Sequence, residues 1–330
     1  MRSGKTLILA TKEFAKENKF KSWIYTLSTL FLLVIMLAGA FHPFNIFIRI
    51  ACSLLASMMI VRTFMIYHDF LHRAILVRSK IAEVIMTIFG IYILAPKSIW
   101  KRSHDHHHKH NSKLFSASIG SYPIMTKQKF LNASKKERWE YLAVRHPLTI
   151  LFGYFTMFIY GMCLQSFLSA PEKHYDSLIA LIVHITVGFL LFWFGGWVAL
   201  LLVWIIPFFI SFALGAYLFY AQHNFPGVVF RNNIEWSYEH ASMESSSFMV
   251  MSPIMNWFMG NIGYHHIHHM NAHIPFYRLP EALKKIPELQ NAKKTSWHPR
   301  DVINCLKLKL WDPETNKMIT LDELQVSLST

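Results

Sequence analysis

The sequence predicts an all-α, multi-pass integral membrane protein with about four transmembrane helices and a cytoplasmic, histidine-rich helical cap. Three observations support this prediction. Of the 330 residues, 53% are hydrophobic and 15% aromatic, which is more apolar than an ordinary soluble domain. Several apolar stretches approach the length of a membrane span. Nineteen histidines are present, and nine of them cluster beside those stretches, so we interpret residues 1–330 as one membrane-embedded domain.

The first apolar unit is a predicted transmembrane hairpin at about 22–67. Residues 22–41 and 46–67 each approach the roughly 20 residues that a helix needs to cross a bilayer. A short polar link separates them, so the chain should return to the side from which it started. The first 21 residues are polar and basic and lack the cleavage site of a secretory signal. We expect them to form a cytoplasmic tail.

The second membrane unit is expected at about 148–220. If all histidine groups build one site, an even number of crossings must separate them, so this region should cross twice. The shorter apolar segment 81–95 should then be re-entrant or lie on the surface. The loop at 170–177, with Lys173 as its only fixed positive charge, is expected on the far side. The remaining polar segments, 97–146 and 222–330, would form the cap.

Charge and cysteine content exclude two other classes of protein. The net charge of +14 comes mainly from lysine and arginine beside the apolar runs, where the positive-inside rule explains them without nucleic acid. The three cysteines, Cys52, Cys163 and Cys305, are far apart. Neither a disulfide framework nor a thiolate metal site is therefore expected.

The clustered histidines have the spacing of metal ligands on helices. His68 and His72 form an HxxxH motif, and two HxxHH motifs follow at His104/His107/His108 and His265/His268/His269. These spacings place two or three imidazoles on one helical face. A catalytic zinc usually has three protein ligands, so eight histidines indicate two metals. Zinc remains compatible with the spacing, but it has no redox chemistry, whereas iron bound by nitrogen suits oxygen activation.

These motifs resemble those of the membrane fatty acid desaturase superfamily, and most closely those of bacterial acyl-lipid desaturases. The resemblance includes the order of the three histidine boxes and extends over nearly the whole chain. It also includes four further sequence elements, namely Trp100-Lys101-Arg102, Gln222-His223-Asn224-Phe225, the segment 260–269 and Leu310-Trp311-Asp312.

The resemblance implies a diiron enzyme that uses O2 to introduce a cis double bond into an acyl chain of a membrane lipid. Two iron ions would be the cofactors, and a separate protein such as ferredoxin or flavodoxin would supply electrons, since no haem-binding signature is present. The enzyme would lie in the bacterial cytoplasmic membrane with its metal site on the cytoplasmic side. The implied ligands are His68, His72, His104, His107, His108, His223, His265, His268 and His269.

Other residues near these motifs have more ordinary interpretations. Asp69 and Asp105 are candidates to orient ligand rings through hydrogen bonds. Three clustered histidines are off the common face and are expected to be surface or supporting residues: His106, His110 and His266. Seven isolated histidines are expected to be structural: His42, His146, His174, His184, His240, His273 and His298. His184 should hydrogen-bond a neighbouring helix. A tunnel for the acyl chain could have aromatic side chains in its wall, but we expect three tryptophans to be interfacial anchors instead: Trp100, Trp236 and Trp257.

Two alternative functions remain open at this point. Alkane hydroxylases and carotenoid hydroxylases or ketolases use similar histidine boxes to insert oxygen. A non-catalytic metal-binding or lipid-binding membrane protein would retain the metal without turnover.

Overall fold

The chain is mostly helical in the computed structural model, which describes residues 2–114, 122–232 and 234–329. The α-helices are α1 Gly4–Ala10, α2 Lys19–Phe41, α3 Ile46–Leu71, α4 Lys80–Tyr92, α5 Lys97–His110, α6 Lys127–Asn132, α7 Lys135–Val144, α8 Pro147–Leu151, α9 Ser166–Ser169, α10 Tyr175–Ala199, α11 Ile206–Ala221, α12 Tyr238–Glu244, α13 Pro253–Phe258, α14 His265–Met270, α15 Leu279–Lys285, α16 Pro299–Lys307 and α17 Leu321–Ser329. The π-helical segments are Tyr154–Gln165 and Leu200–Ile205, and the 3-10 helices are Thr11–Ala15, Phe276–Arg278 and Pro287–Asn291.

Within the described residues, three stretches are long and apolar enough to cross a membrane: Lys19–Phe41, Ile46–Leu71 and Tyr175–Ala221. Their outer faces expose large apolar side chains, for example Phe31 at 65% and Ile185 at 70%. Such a band would be costly in water but suits contact with lipid. The predicted hairpin at 22–67 therefore corresponds to α2 and α3.

The third stretch reverses direction at Gly196. This residue has a φ of 67° inside an otherwise helical run, a backbone conformation that glycine adopts without the steric cost of a side chain. The two arms then pack side by side, because His184 lies 4.8 Å, between ring centroids, from both Trp204 and Phe208. The two arms are therefore antiparallel. The count of four spans follows if each arm crosses the bilayer, and it stays a prediction.

The two long hairpins share the same orientation. The tip of the α10–α11 hairpin lies against the tip of the α2–α3 hairpin, since a Cβ at Gly195 would meet the ring of Phe41 at 2.9 Å. Ala40 packs nearby with Leu202 and Val203. At the opposite end, α3 terminates in its histidine pair and α11 is followed by His223. One end of the helical bundle therefore collects the histidine-bearing segments.

The loop at 170–177 is not on the far side, so that prediction is wrong. Ser98, at the start of α5, hydrogen-bonds His174 Nδ1 at 2.8 Å, and its N–H donates to Asp176 at 3.1 Å. The preceding segment begins near the same end, where a Cβ at Gly153 would meet Ala216 at 2.7 Å. The segment from α8 to α9 thus starts and finishes near the histidine-bearing end. We therefore assign the two crossings expected for 148–220 to the two arms of Tyr175–Ala221, on either side of Gly196.

The short apolar segment before the second histidine motif forms α4, which bends by 92° into α5. α4 contains 13 residues, and at 1.5 Å per residue it is about 20 Å long, too short to cross alone. The Tyr67 hydroxyl donates to the carbonyl of Ala95 at 2.8 Å and fixes the bend. Because the histidines of α3 and α5 meet, the segment returns to the side that it left, as predicted.

The polar segments form a cap over the histidine-bearing end. The N-terminal residues are an ordered part of it, since Leu7 and Phe14 pack with Ile267 and Met270 beside the third histidine motif. Short strands tie the cap together: β1 Met125–Thr126, β2 Phe248–Val250, β3 Lys294–Ser296, β4 Leu310–Asp312 and β5 Lys317–Ile319. β4 pairs with β1 in parallel and with β5 antiparallel, and β2 pairs with β3 in parallel.

Candidate metal centre

Four parts of the fold bring their histidines to one place. α3 carries His68 in its last turn and is capped by His72, and the i, i+4 spacing puts both rings on one face. His223 follows α11 directly. α5 and α14 present the remaining side chains: His104, His107 and His108 from α5, and His265, His268 and His269 from α14.

The nine histidines form two adjacent groups. The first group is His68, His72, His104, His108 and His268, and the second is His107, His223, His265 and His269. Within each group, one candidate ligand atom per residue lies within 4.8 Å of all the others. The groups touch where His108 stacks on His269 with ring centroids 4.3 Å apart. These are the nine residues predicted from the sequence, and their binding of metal stays a prediction.

The Nε2 atoms have the spacing of ligands that share a metal ion. His68 lies 2.8 Å from His104, His268 lies 3.1 Å from His108, and His265 lies 2.9 Å from His223, each measured between Nε2 atoms. Two imidazoles that bind one metal at about 2.1 Å and at right angles would place their nitrogens about 3.0 Å apart. The measured separations agree with this value.

Hydrogen bonding between imidazoles does not explain all of these contacts. His104 Nε2 lies 2.8 Å from His68 and 3.2 Å from His108, so one ring nitrogen has two close nitrogen neighbours. His223 Nε2 likewise lies 3.1 Å from His107 and 2.9 Å from His265. A ring nitrogen carries either one proton or one lone pair. A shared cation accounts for both contacts at once.

Burial keeps these rings in the form that binds metal. Desolvation by burial lowers the pKa of His223 to about 4. Desolvation, together with repulsion from neighbouring histidines, lowers the pKa values of His265, His268 and His269 well below the ordinary value. These four imidazoles are therefore neutral at pH 7. Neutral imidazole is the ligand form, so no proton has to be displaced for binding.

The donor set fits transition metals. Both groups consist of imidazole alone, which suits iron, zinc, copper or nickel, whereas magnesium and calcium require oxygen ligands. Within the described residues, the buried Nε2 of His72 has no protein partner, and a metal in the first group would satisfy it. Groups of five and four donors provide for two ions and leave few positions for other ligands.

The same histidines lie within the region that matches a known family. A family model described as fatty acid desaturase matches residues 44–300, which is most of the chain. The chain belongs to the fatty acid desaturase family. The resemblance carried by the histidine motifs is thereby confirmed.

Two curated relatives agree with this assignment. The chain is 29% identical over 290 residues to a fatty acid desaturase of Bacillus subtilis strain 168, an alignment that covers 83% of this chain and 77% of the relative. It is 23% identical over 320 residues to the sn-1 oleoyl-lipid 12-desaturase of Anabaena variabilis, with coverage of 87% and 83%. As a desaturase family member, the chain is an oxidoreductase.

Each histidine group of this desaturase contains one ring whose Nδ1 has an acceptor. In the first group, His68 Nδ1 lies 3.3 Å from Asp69, whose other carboxylate oxygen accepts the N–H of Phe276 at 2.6 Å. In the second group, His223 Nδ1 donates to the carbonyl of Ser245 at 2.9 Å. Such acceptors fix the orientation of a ligand ring. Asp69 was predicted for this role, whereas the Ser245 carbonyl has no sequence signal because any residue supplies one.

The prediction that Asp105 orients a ligand ring is wrong. The Asp105 carboxylate pairs with Lys101 one turn earlier on α5 and is half-exposed. The carboxylate is thus engaged by Lys101 on the half-exposed side of α5.

Histidines outside the two groups have other contacts. His106 and His110 stack on each other with ring centroids 4.2 Å apart, on the exposed side of α5. His266 is buried and donates through Nε2 to the carbonyl of Leu289 at 3.0 Å. His184 hydrogen-bonds the Tyr154 hydroxyl on a neighbouring helix, as predicted.

A buried polar network joins His223 to the C-terminal part of the cap. Next to it in sequence, the Asn224 amide donates to the carbonyl of Cys305 at 2.7 Å, while its oxygen accepts from Arg145. Tyr220 donates to the carbonyl of Leu308 at 3.0 Å. Arg145, which is fully buried, had not been predicted to be functional because an arginine before a membrane segment usually indicates a surface charge.

An apolar cavity opens onto both histidine groups. His68, His104 and His265 line one end of it, and Ser211 and Phe212 of α11 line the other. Eleven helical residues separate Gln222 from Ser211, which corresponds to about 16 Å along the helix. Most of the wall is apolar, with Ile60, Val61, Phe64, Met65, Ile93, Phe158, Leu218, Phe219 and Ile262. The lining is typical of sites for apolar small molecules.

The three tryptophans differ in their surroundings. Trp100 is 1% exposed and stacks on His104 with centroids 5.1 Å apart, so it supports the candidate centre and is not an interfacial anchor. Trp257 lies under the guanidinium of Arg62, 4.0 Å from its ring centroid. Trp236 donates to the carbonyl of Asn111 at 2.8 Å. All three lie outside the residues that line the cavity.

Proposed function

We propose that this desaturase family member is a diiron, O2-dependent enzyme that introduces a cis double bond into an acyl chain of a membrane lipid. The observation that carries the proposal is the meeting of nine buried imidazoles with the apolar cavity. A methylene chain in that cavity would pass directly beside His68, His104 and His265.

The groups would hold one iron each, and bound iron would supply the oxidising chemistry that removes hydrogen from an unactivated C–H bond. Removal of two hydrogens from adjacent carbons releases two electrons and two protons. The donor supplies two further electrons and solvent two further protons, so that one O2 becomes two waters. The apolar wall excludes bulk water and holds the acyl chain in position.

The distribution of charge supports a cytoplasmic metal site. The tip of the α2–α3 hairpin, residues 42–45, and the tip of the α10–α11 hairpin contain no lysine or arginine, whereas the histidine-bearing end carries most of the basic residues. Positive residues accumulate on the cytoplasmic side of membrane proteins. We therefore place the hairpin tips on the opposite side of the bilayer.

A separate, acidic electron carrier such as ferredoxin or flavodoxin is the proposed donor. Exposed Lys284, Lys293 and Arg300 on the C-terminal part of the cap give this surface a positive charge that would attract an acidic partner.

The proposal is tested by measuring total fatty acids in a host with a competent ferredoxin system, using gas chromatography and mass spectrometry. The wild-type chain should produce a new unsaturated acyl chain, and derivatisation of the double bond gives its position. His268→Ala should abolish the product, because it removes one ligand while the apolar helices remain intact.

The matched control is His106→Ala, which removes an exposed histidine outside both groups. It should retain activity and iron content, whereas His268→Ala should lose both and still enter the membrane. An oxygenated lipid in place of an alkene would indicate a hydroxylase or ketolase. Two bound metals without any lipid product, at verified expression, would indicate a non-catalytic metal-binding protein.

A further inference from the structure

The segment between α3 and α4 holds two arginines in a constrained loop. Arg73, Leu76 and Arg78 have positive φ values of 58°, 51° and 65°, a conformation that costs free energy for residues other than glycine. The protein-facing side of the loop is held in place, because Ile75 and Leu76 are buried and the Leu76 N–H donates to the carboxylate of Glu17. The side chains of Arg73 and Arg78 consequently project outward from a rigid backbone.

These arginines line a groove, called here the cationic groove, together with Lys80, Lys97, Lys101 and Glu83. Lys97 pairs with Glu83, and Lys101 pairs with Asp105. In the described part of the chain, no ion pair forms with Arg73, Arg78 or Lys80. Three exposed cations therefore lie together without acidic partners, at a mutual repulsion that an anion would relieve.

The surroundings of the cationic groove indicate a lipid environment. α4 follows it directly and exposes Ile81, Val84 and Ile88 at 67%, 59% and 63%. These residues lie on one helical face at i, i+3 and i+7, as in helices that lie at a membrane interface. The groove wall itself includes the apolar Phe70 and Val77. The cations are thus at the level where a bilayer presents its phosphates.

We propose that the cationic groove binds the phosphate of an anionic phospholipid headgroup. The arginine guanidinium groups would form charge-assisted hydrogen bonds to phosphate oxygens, while Phe70 and Val77 contact the first carbons of the lipid. A concave site beside a lipid-facing helix favours a lipid over an acidic protein, which would dock on the open surface of the cap. The inference is independent of the reaction proposed above.

Binding is measured by titrating the full-length protein, in non-ionic detergent, with dioctanoyl phosphatidylglycerol, dioctanoyl phosphatidylcholine and inorganic phosphate. The wild type should prefer phosphatidylglycerol. Arg73→Gln with Arg78→Gln should weaken its binding by about tenfold or more, since interfacial cations each contribute appreciably to the attraction of anionic lipid. Arg73→Lys with Arg78→Lys should retain most of the affinity and shows that the loop still folds.

Lys135→Gln with Lys307→Gln is the control of equal charge change, because both residues are exposed and lie outside the groove. It should bind phosphatidylglycerol as the wild type does. Equal losses in the control and groove variants would overturn the proposal, as would equal affinity for phosphatidylglycerol and phosphatidylcholine. Inorganic phosphate binding as tightly as the lipid would assign the groove to free phosphate. Displacement of the lipid by an acidic ferredoxin only when the groove is intact would assign it to a protein partner.

Discussion

At the scale of single residues, the two histidine groups depend on different kinds of support. One ring in each group is oriented by a protein acceptor, His68 by Asp69 and His223 by Ser245. Among the described residues of the two groups, six other rings have buried Nδ1 atoms without a protein partner: His104, His107, His108, His265, His268 and His269. These six rings are held by packing and, in the proposed metal centre, would also be held by ligation. The two anchored rings are therefore the places where we expect one substitution to disturb a whole group.

Asp69→Asn should lower metal affinity by about 10- to 100-fold, the usual effect of losing a group that orients a ligand. The amide is weaker as an acceptor for the His68 ring, although it can still contact the N–H of Phe276. Metal titration of the purified protein measures this effect. Asp105→Asn is the matched control, because it follows a histidine in the same way but contacts Lys101. A similar loss in both variants would contradict the orienting role of Asp69.

The metal-free protein should lose stability as pH falls from about 6.5 towards 4, and His266 should contribute. Desolvation by burial lowers the pKa of His266 to about 4, so the unfolded chain binds a proton in this range while the folded chain does not. Above pH 6.5 the ring is neutral in both states and has no effect. The contribution is about 3 kcal/mol when fully developed.

Chemical unfolding of the metal-free protein between pH 7.5 and pH 4.5 measures this dependence. His266→Gln retains a donor for the carbonyl of Leu289 but cannot titrate, so its stability should decline less steeply. An unchanged slope would show that His266 is protonated in the folded protein. Since the other buried histidines also titrate, the slope should decrease without disappearing.

At the scale of helices, the sequence predicted what depends on local spacing. The i, i+4 spacing of His68 and His72 predicted their shared face, and the length of 22–67 predicted the first hairpin. The carbonyl of Ser245 and the buried Arg145 were not predictable, since they approach His223 and Asn224 only through tertiary packing. The residues that line the cavity were also not predicted, because its wall combines apolar residues of α3, α11 and the π-helix at Tyr154–Gln165 that are individually indistinguishable from core residues.

The end of the cavity should limit how far an acyl chain extends past the proposed metal centre. Phe158 and Phe212 line that end and stack with ring centroids 4.0 Å apart. Phe158→Leu replaces a large side chain at this end by a smaller one and so lengthens the cavity. The product should then carry more carbons between the double bond and the methyl end. Mass spectrometry of derivatised fatty acids measures that position. Phe189→Ala, on the exposed outer face of α10, should leave the product unchanged.

Substitution of Phe158 by leucine is preferred to alanine, because removing a buried phenylalanine costs about 3–5 kcal/mol. A product with the double bond at the wild-type position, formed at normal rates, would show that Phe158 does not limit the acyl chain. A lower yield together with a lower melting temperature would instead reflect lost packing, and Phe212→Leu then provides a second test of the same wall.

At the scale of the whole molecule, two sequence criteria gave conflicting predictions of the topology. They were the even number of crossings required between the histidine groups and the low positive charge of the loop at 170–177. The requirement that all histidines meet on one side predicted that 81–95 does not cross, and the return of α4 and α5 to the histidine-bearing end agrees with this. It also predicted two crossings after residue 148, which stay a prediction. The low positive charge of the 170–177 loop then suggested the far side. The contacts of His174 and Asp176 with Ser98 show that a single lysine was too weak a signal. The two arms of 175–221 are instead separated at Gly196, where the positive φ accompanies the reversal.

Accessibility of single cysteines in intact cells tests this topology directly. In a background with Cys52→Ser, His42→Cys should react with a membrane-impermeant maleimide from outside, because it lies at the tip of the α2–α3 hairpin. Lys173→Cys and Lys135→Cys should react only after the cells are opened, since both lie at the histidine-bearing end. Cys163 and Cys305 are buried and should react little. Labelling of Lys173→Cys from outside would mean that the segment from α8 to α9 crosses the bilayer, and the pairing of spans would then have to be revised.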